Sequence, residues 1–140
     1  MTGIEFLQQV AFAERQMNNS YEKVERCRCA VERITATLSD NHVSSSRNVT
    51  AHEDAIIRLM EAEEEYARLF NNHQLMLENV MSFLNRLKDR NDGKLLELYY
   101  LKYMKAATVA KQIHIARSQF YIHHDAALKE LDELLKTSDT

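Results

Sequence analysis

The chain has 140 residues, 45% of them hydrophobic, and a net charge of −3, values typical of one globular domain or of one domain with an appendage. It contains no proline and two glycines, too few turn residues for an all-β fold. This composition favours long helices with few corners. No apolar run approaches the ~18 residues that span a bilayer, and the start of the chain lacks the features of a signal peptide. We therefore expect a cytoplasmic protein.

The first predicted element is a long helix at about residues 4–38. Apolar or small residues recur there at steps of three and four, the spacing of a helical stripe. The stripe consists of Val10, Ala13, Met17, Tyr21, Val24, Cys27, Val31, Ile34 and Leu38. Cys27 and Cys29 would point about 200° apart on such a helix, so we expect reduced cysteines rather than a disulfide or a metal site.

A polar, serine-rich segment at residues 39–50 predicts the one long loop of the chain. Thr50 followed by Glu53 resembles a capping box, which predicts a second long helix at about residues 50–90. Its stripe consists of Ile56, Leu59, Glu63, Tyr66, Phe70, His73, Leu77, Val80, Leu84 and Leu87. Glu63 and His73 are polar, so either they pair with partners on another helix or they limit the possible registers and oligomers.

Gly93, in the segment at residues 89–94, is expected to adopt a left-handed conformation that closes the second helix. A short helix at residues 94–104 should follow, with Leu95, Leu98 and Tyr99 facing inward. Two further helices are predicted at residues 106–113 and 116–136, before a polar tail that is expected to fray. The predicted fold is all-α. Residues 1–90 form a helical hairpin with coiled-coil character, for oligomerisation or partner contact, and residues 93–136 form a compact three-helix unit.

The last two helices meet at a short joint, in the sequence VAKQIHIARSQFYIHHDAALKEL at residues 109–131. A helix-turn-helix needs a small residue where the backbones approach and apolar residues in the angle between the helices. Ala110 meets the first need, and the second is met by Val109, Ile113, Ile115 and Phe120. The predicted turn at residues 114–116 lacks glycine, and a left-handed His114 is allowed but uncommon, so either His114 is left-handed or the turn is wider or helical. Ala116 replaces the usual capping serine, and Ser118 would be the cap if the helix began later.

Positive charge is concentrated around this helix pair. Residues 94–124 carry five basic side chains and one acidic side chain, Glu97, whereas residues 1–87 carry 9 basic and 13 acidic side chains. We therefore expect the unit to bind double-stranded DNA. The predicted phosphate contacts are Lys102, Lys105 and Lys111. The predicted base contacts, near the start of the recognition helix, are Arg117, Ser118, Gln119 and Tyr121.

The sequence LLELYYLKYMKAATVAKQIHIARSQFYIHHDAALKEL resembles the last domain of sigma-70-type factors and, more closely, the phage regulators of the RinA/ArpU type. The matching positions are 95–100, 109–110, 115–121 and 124–128. The resemblance implies a sigma-like helix-turn-helix and a transcriptional regulator that is encoded by a phage or prophage. It also implies a preceding helical region, which would form a homo-oligomer, favoured as a dimer, or contact RNA polymerase.

Two other functions remain open: a small terminase-like DNA-packaging subunit, and an interaction module that binds RNA polymerase or another regulator without contacting DNA. His114, His123 and His124 lack a fourth ligand for zinc, and we expect them to pack on or near a nucleic-acid surface. Of the acidic run at residues 61–65, only Glu63 lies on the apolar stripe, so a di-metal site is not expected. No phosphate loop or catalytic motif is present, and we predict neither an enzyme nor a cofactor.

Overall fold

The computed structural model describes residues 1–40 and 46–138. Every regular element in these ranges is helical, which confirms the all-α prediction. The five α-helices are α1 (Gly3–Asp40), α2 (Ser46–Leu84), α3 (Arg90–Leu96), α4 (Ala106–Gln112) and α5 (Phe120–Ser138). A π-helical turn, Glu97–Leu101, follows α3, and a 3-10 turn, Arg117–Gln119, precedes α5. Within the described ranges no helix is long and apolar enough to cross a membrane.

The start of α1 is held by a reciprocal cap. The Thr2 hydroxyl accepts a hydrogen bond from the Glu5 backbone N–H at 3.2 Å, and the Glu5 carboxylate accepts one from the Thr2 N–H at 3.2 Å. The Gly3 N–H donates to the Asp132 carboxylate on α5. These bonds satisfy N–H groups that the first turn of any helix leaves without intrahelical partners.

The second long helix begins earlier than predicted. α2 starts at Ser46, so Thr50 lies inside the helix and does not cap it. No proline or glycine interrupts residues 46–50, and nothing in their backbone chemistry stops the helix from extending over them. Residues 39–40 of the predicted loop belong to α1, and residues 41–45 lie outside the described residues.

The end of α2 also differs from the prediction. The helix stops at Leu84 rather than near residue 90, and Asp89 caps the new helix α3 by accepting a hydrogen bond from the Asn91 N–H at 2.9 Å. The expected left-handed Gly93 was wrong, because Gly93 is buried within α3 and no glycine has a positive φ. A Cβ at Gly93 would lie 2.8 Å from the Leu84 carbonyl oxygen, so glycine is needed there for close backbone packing.

The chain forms two compact units, which do not follow the predicted boundary near residue 90. One unit comprises Met1–Phe12 with Gln74–Thr140, and the other comprises Ala13–His73. In the first unit, the core of the C-terminal helices also contains side chains from the start of α1 and the end of α2. Its fully buried residues include Leu7, Val80, Leu95, Leu96, Val109, Phe120 and Leu131. The three-helix unit is therefore completed by parts of the two long helices.

The second unit, Ala13–His73, pairs α1 with α2 mainly through small side chains. Its buried apolar residues are Ala13, Val24, Ala55 and Ala62. Glu63 lies at the surface, and its carboxylate is 3.9 Å from the Arg28 guanidinium on the other helix. His73 is buried, and its Nδ1 has no hydrogen-bond partner among the described residues. Of the two polar stripe residues, only Glu63 thus meets a charged partner on another helix.

Candidate nucleic-acid interface

The helices α4 and α5 are joined by residues 113–119, of which the last three form the 3-10 turn. The Ile115 N–H donates to the Ala110 carbonyl at 3.0 Å and the His114 N–H donates to the Lys111 carbonyl at 3.4 Å. This bond pattern is the Schellman motif, which normally places a left-handed residue after the helix. His114 occupies that position with a φ of 62°, so the uncommon left-handed histidine is present.

The predicted angle-filling side chains are where the sequence pattern placed them. Three of them are buried, Val109, Ile113 and Phe120, and so is the small residue Ala110. Ile115 is partly buried and packs against the same core. α4 contacts both the 3-10 turn and α5. The apolar spacing therefore predicted the inner surface of the helix pair correctly.

The start of the second helix needs a correction. It was predicted at residue 116, but α5 begins at Phe120, and Arg117–Gln119 forms a 3-10 turn ahead of it. The Gln119 N–H donates to the Ala116 carbonyl at 2.9 Å. Ala116 provides no side-chain cap, because alanine has no side-chain acceptor. A tight 3-10 bond replaces the missing cap at this helix end.

The candidate contact residues all belong to the C-terminal unit, and all have exposed side chains. They are Lys102, Lys105, Lys111, Arg117, Ser118, Gln119 and Tyr121. Lys105 is the N-cap residue of α4 and Lys111 lies in its last turn, so lysines mark both ends of that helix. Among the described residues, none forms an ion pair with these four basic side chains. Their charge is therefore available to an anionic partner.

Beneath this surface lies an aromatic cluster that joins the π-helical turn to α5. The Tyr99 ring centroid is 5.2 Å from that of Phe120 and 5.5 Å from that of His124. The Tyr100 hydroxyl is 2.8 Å from His124 Nε2, and His124 Nδ1 is 3.0 Å from the Asp125 carboxylate. Burial raises the pKa of Tyr100, and the neighbouring Tyr99 raises it further.

The three histidines of this region differ in burial, and their expected place on or near a nucleic-acid surface stays a prediction. His124 is buried, with both ring nitrogens occupied, whereas His114 is exposed. His123 is half-buried and faces Asp92, with 3.7 Å between Nδ1 and Oδ1, too far for a hydrogen bond. The available sequence signal was the tyrosine pair at residues 99–100 and the histidine pair at residues 123–124. The spacing of these pairs does not reveal which of the two histidines points inward.

Asp92, in the first turn of α3, was also missed by the sequence reasoning. Its Oδ1 atom is buried without a hydrogen-bond partner among the described residues. Burial raises the pKa of Asp92, as does the nearby Asp89 carboxylate, while His123 lowers it. The helix dipole favours a negative charge in the first turn of a helix. This interaction offsets part of the free-energy cost of burying the Asp92 carboxylate.

Other possible sites are weaker. No group of three or more His, Cys, Asp or Glu side chains in the described part of the chain is arranged to hold a metal ion. In the acidic run, Glu61 and Glu64 are exposed, and Glu65 pairs with Arg68 one turn later. A cavity of about 560 Å³ lies beside α3, with apolar and charged residues mixed in its wall. None of these features presents a set of convergent catalytic groups.

No curated protein and no solved structure matches the chain. A family profile does match it, over residues 34–132. That span runs from the last turns of α1 through the helix pair and includes every candidate contact residue. Because the match covers more than half of the chain, the chain belongs to the family described as protein of unknown function (DUF1492).

Proposed function

We propose that this protein is a sequence-specific DNA-binding transcriptional regulator, encoded by a phage or prophage, with the DNA-binding unit in residues 93–136. One observation carries the proposal. The helix pair buries its apolar angle residues and leaves the side chains near the start of the second helix exposed, and no described residue forms an ion pair with the three lysines that precede them in the chain. A helix-turn-helix that reads DNA needs this separation of a packed interior from an exposed, positively charged edge.

The two groups of contact residues have different roles in this proposal. Lys102, Lys105 and Lys111 bind phosphates, which sets the register of the protein on the duplex without reading its sequence. Arg117 donates two hydrogen bonds to guanine N7 and O6 in the major groove in this proposal. Ser118, Gln119 and Tyr121 reach neighbouring base edges. The first turn of α5 contains no acidic residue, whereas Asp125 lies in the second turn and the other acidic residues lie in the C-terminal half, so the first turn is the part suited to enter the groove.

The long helices serve association in this proposal. They would form a homo-oligomer, most simply a dimer, or contact RNA polymerase. Exposed apolar side chains on the Ala13–His73 unit support an association surface: Ile57 is 53% exposed and Met60 is 55% exposed. A dimer would place two recognition elements on two half-sites, as in other dimeric helix-turn-helix proteins.

A protein-interaction module is the second candidate. It is favoured by Tyr121 and Ile122, adjacent apolar side chains that are 57% and 69% exposed on α5. Apolar side chains of this kind can insert into a protein partner as well as contact a thymine methyl group. Retention of the purified protein on genomic DNA fragments at moderate salt separates the two candidates.

The decisive experiment begins by sequencing the DNA that crosslinks to the protein, which identifies the operator. Binding of Lys111→Ala and Arg117→Ala is then titrated with salt on the operator and on an unrelated duplex. Lys111→Ala should weaken binding to both duplexes and make the salt dependence shallower by about one unit of slope. Arg117→Ala should cost about 1–3 kcal/mol on the operator and much less on the unrelated duplex.

Equal losses on both duplexes for Arg117→Ala would show that Arg117 contacts phosphate rather than a base. If neither substitution alters DNA binding, the helix pair does not face DNA, and the interaction module becomes the better explanation. Native mass spectrometry adds a separate check, because a ring of many subunits would favour a DNA-packaging role.

A further inference from the structure

Both segments that flank α4 contain a left-handed residue that is not glycine. Tyr103 has a φ of 57°, and His114 has a φ of 62°. Each follows the end of a helical segment. The Met104 N–H donates to the Leu98 carbonyl at 3.0 Å after the π-helical turn, and the Ile115 N–H donates to the Ala110 carbonyl at 3.0 Å after α4. Helix ends of this kind most often carry glycine at the left-handed position.

The chain does not use glycine at either position. A side chain with a Cβ is disfavoured in the left-handed region, where glycine meets no such penalty. Burial does not offset the penalty, because Tyr103 is 56% exposed and His114 is also exposed. Non-glycine residues held in such conformations cluster at functional sites, where the side chain has a use apart from folding.

Their surroundings indicate what that use is. Tyr103 lies between Lys102 and Lys105, and His114 lies three residues after Lys111 and three before Arg117. In a helix-turn-helix the first helix crosses the DNA backbone, so the proposed function would bring α4 against phosphates. A phenol O–H and an imidazole N–H are both donors to phosphate oxygens.

We propose that Tyr103 and His114 are phosphate-contacting residues, held by their left-handed backbones at the two ends of α4 beside its lysines. This inference rests on the proposed DNA binding and adds a phenol O–H and an imidazole N–H to the lysine contacts. It also explains why the chain keeps tyrosine and histidine at two helix ends where glycine would adopt the left-handed conformation more favourably.

Alanine and glycine variants at the same position separate the side chain from the backbone. Tyr103→Ala and Tyr103→Gly both remove the phenol, but only glycine removes the conformational penalty, and the same holds for His114→Ala and His114→Gly. Each glycine variant should melt a few degrees above its alanine counterpart. Both variants should bind a 30-base-pair duplex of mixed sequence more weakly than wild type, by about three- to tenfold per lost hydrogen bond.

Tyr103→Phe serves as the matched control for the hydroxyl. Tyr103 also has an interaction within the chain, so the melting temperature of this variant shows how much the hydroxyl contributes to folding. The expected result is weaker binding with an unchanged salt slope, because a neutral donor releases no counterion. Lys111→Ala, measured alongside, should make the slope shallower.

The outcomes are distinguishable. If wild type is not retained on the duplex, the proposed function and this inference both fail before any variant is made. If wild type binds and the alanine and glycine variants bind equally well, the proposed function stands and the phosphate contacts are refuted. If DNA binding weakens for the variants at only one of the two positions, the phosphate contact assigned to the other position is refuted. A glycine variant that melts below its alanine counterpart would refute the backbone argument.

Discussion

Gly93 lies where two backbones meet. The Leu84 carbonyl oxygen occupies the space that a Cβ at Gly93 would need, at a separation of 2.8 Å. Alanine would favour the helix by about 1 kcal/mol, but it would force the end of α2 away from α3. Overpacking of this kind costs about 1–3 kcal/mol and involves backbone rather than a flexible side chain here. Gly93→Ala is therefore expected to lower the melting temperature by several degrees in thermal unfolding monitored by circular dichroism.

Lys94→Ala is the matched control for this substitution. Lys94 is the next residue in α3 and its side chain is exposed, so the change affects helix propensity but not packing. Its effect should stay within about 0.5 kcal/mol. A Gly93→Ala protein as stable as this control would show that α2 and α3 can separate without cost.

Among the elements, the helix pair depends most on Phe120, the first residue of α5. Its side chain is fully buried, and its ring lies 5.2 Å from Tyr99 and 5.8 Å from His124, measured between centroids. Phe120→Ala should cost about 3–5 kcal/mol, because it leaves a cavity where the helix pair meets the π-helical turn. The melting temperature and DNA binding should fall together.

The neighbouring Tyr121→Ala provides the contrast. Tyr121 is 57% exposed, so its removal should change stability much less while still weakening operator binding. A Phe120→Ala protein with the melting temperature of wild type would be incompatible with the packing described for the helix pair.

At the scale of the whole molecule, the question is how many chains act together. The Ala13–His73 unit exposes Ile57, Met60 and Phe70, and an apolar group of this kind favours association. We expect light scattering at high micromolar concentration to show an oligomer, most simply a dimer. Replacing both Ile57 and Met60 with lysine should shift the mass toward that of one chain, about 16.4 kDa.

Glu61→Lys is the control for added positive charge on the same helix, since Glu61 is exposed but not apolar. Its oligomeric state should match that of wild type. A monomeric wild-type protein at the same concentration would contradict the association role given to the long helices.

Sequence periodicity by itself determined the helical class, the approximate extent of both long helices, and the buried face of the helix pair. This was possible because apolar spacing of three and four residues reports a helix locally, without knowledge of its partners. The sequence left open whether His114 is left-handed or the turn is wider or helical, and the structure shows the left-handed conformation. The DNA contacts of the candidate residues stay predictions. The structure adds that the side chains of these residues are exposed.

Only the tertiary structure decided where α2 ends, what Gly93 does and which histidine is buried. Glycine suits both a left-handed turn and a close contact, and Leu84 selects the second role from another helix. His124 and His123 have the same chemistry, but α5 turns His124 toward Tyr100 and His123 toward Asp92. The first compact unit likewise depends on contacts between the start of α1, the end of α2 and the C-terminal helices. Such contacts join residues that are distant in the chain, so no local pattern encodes them.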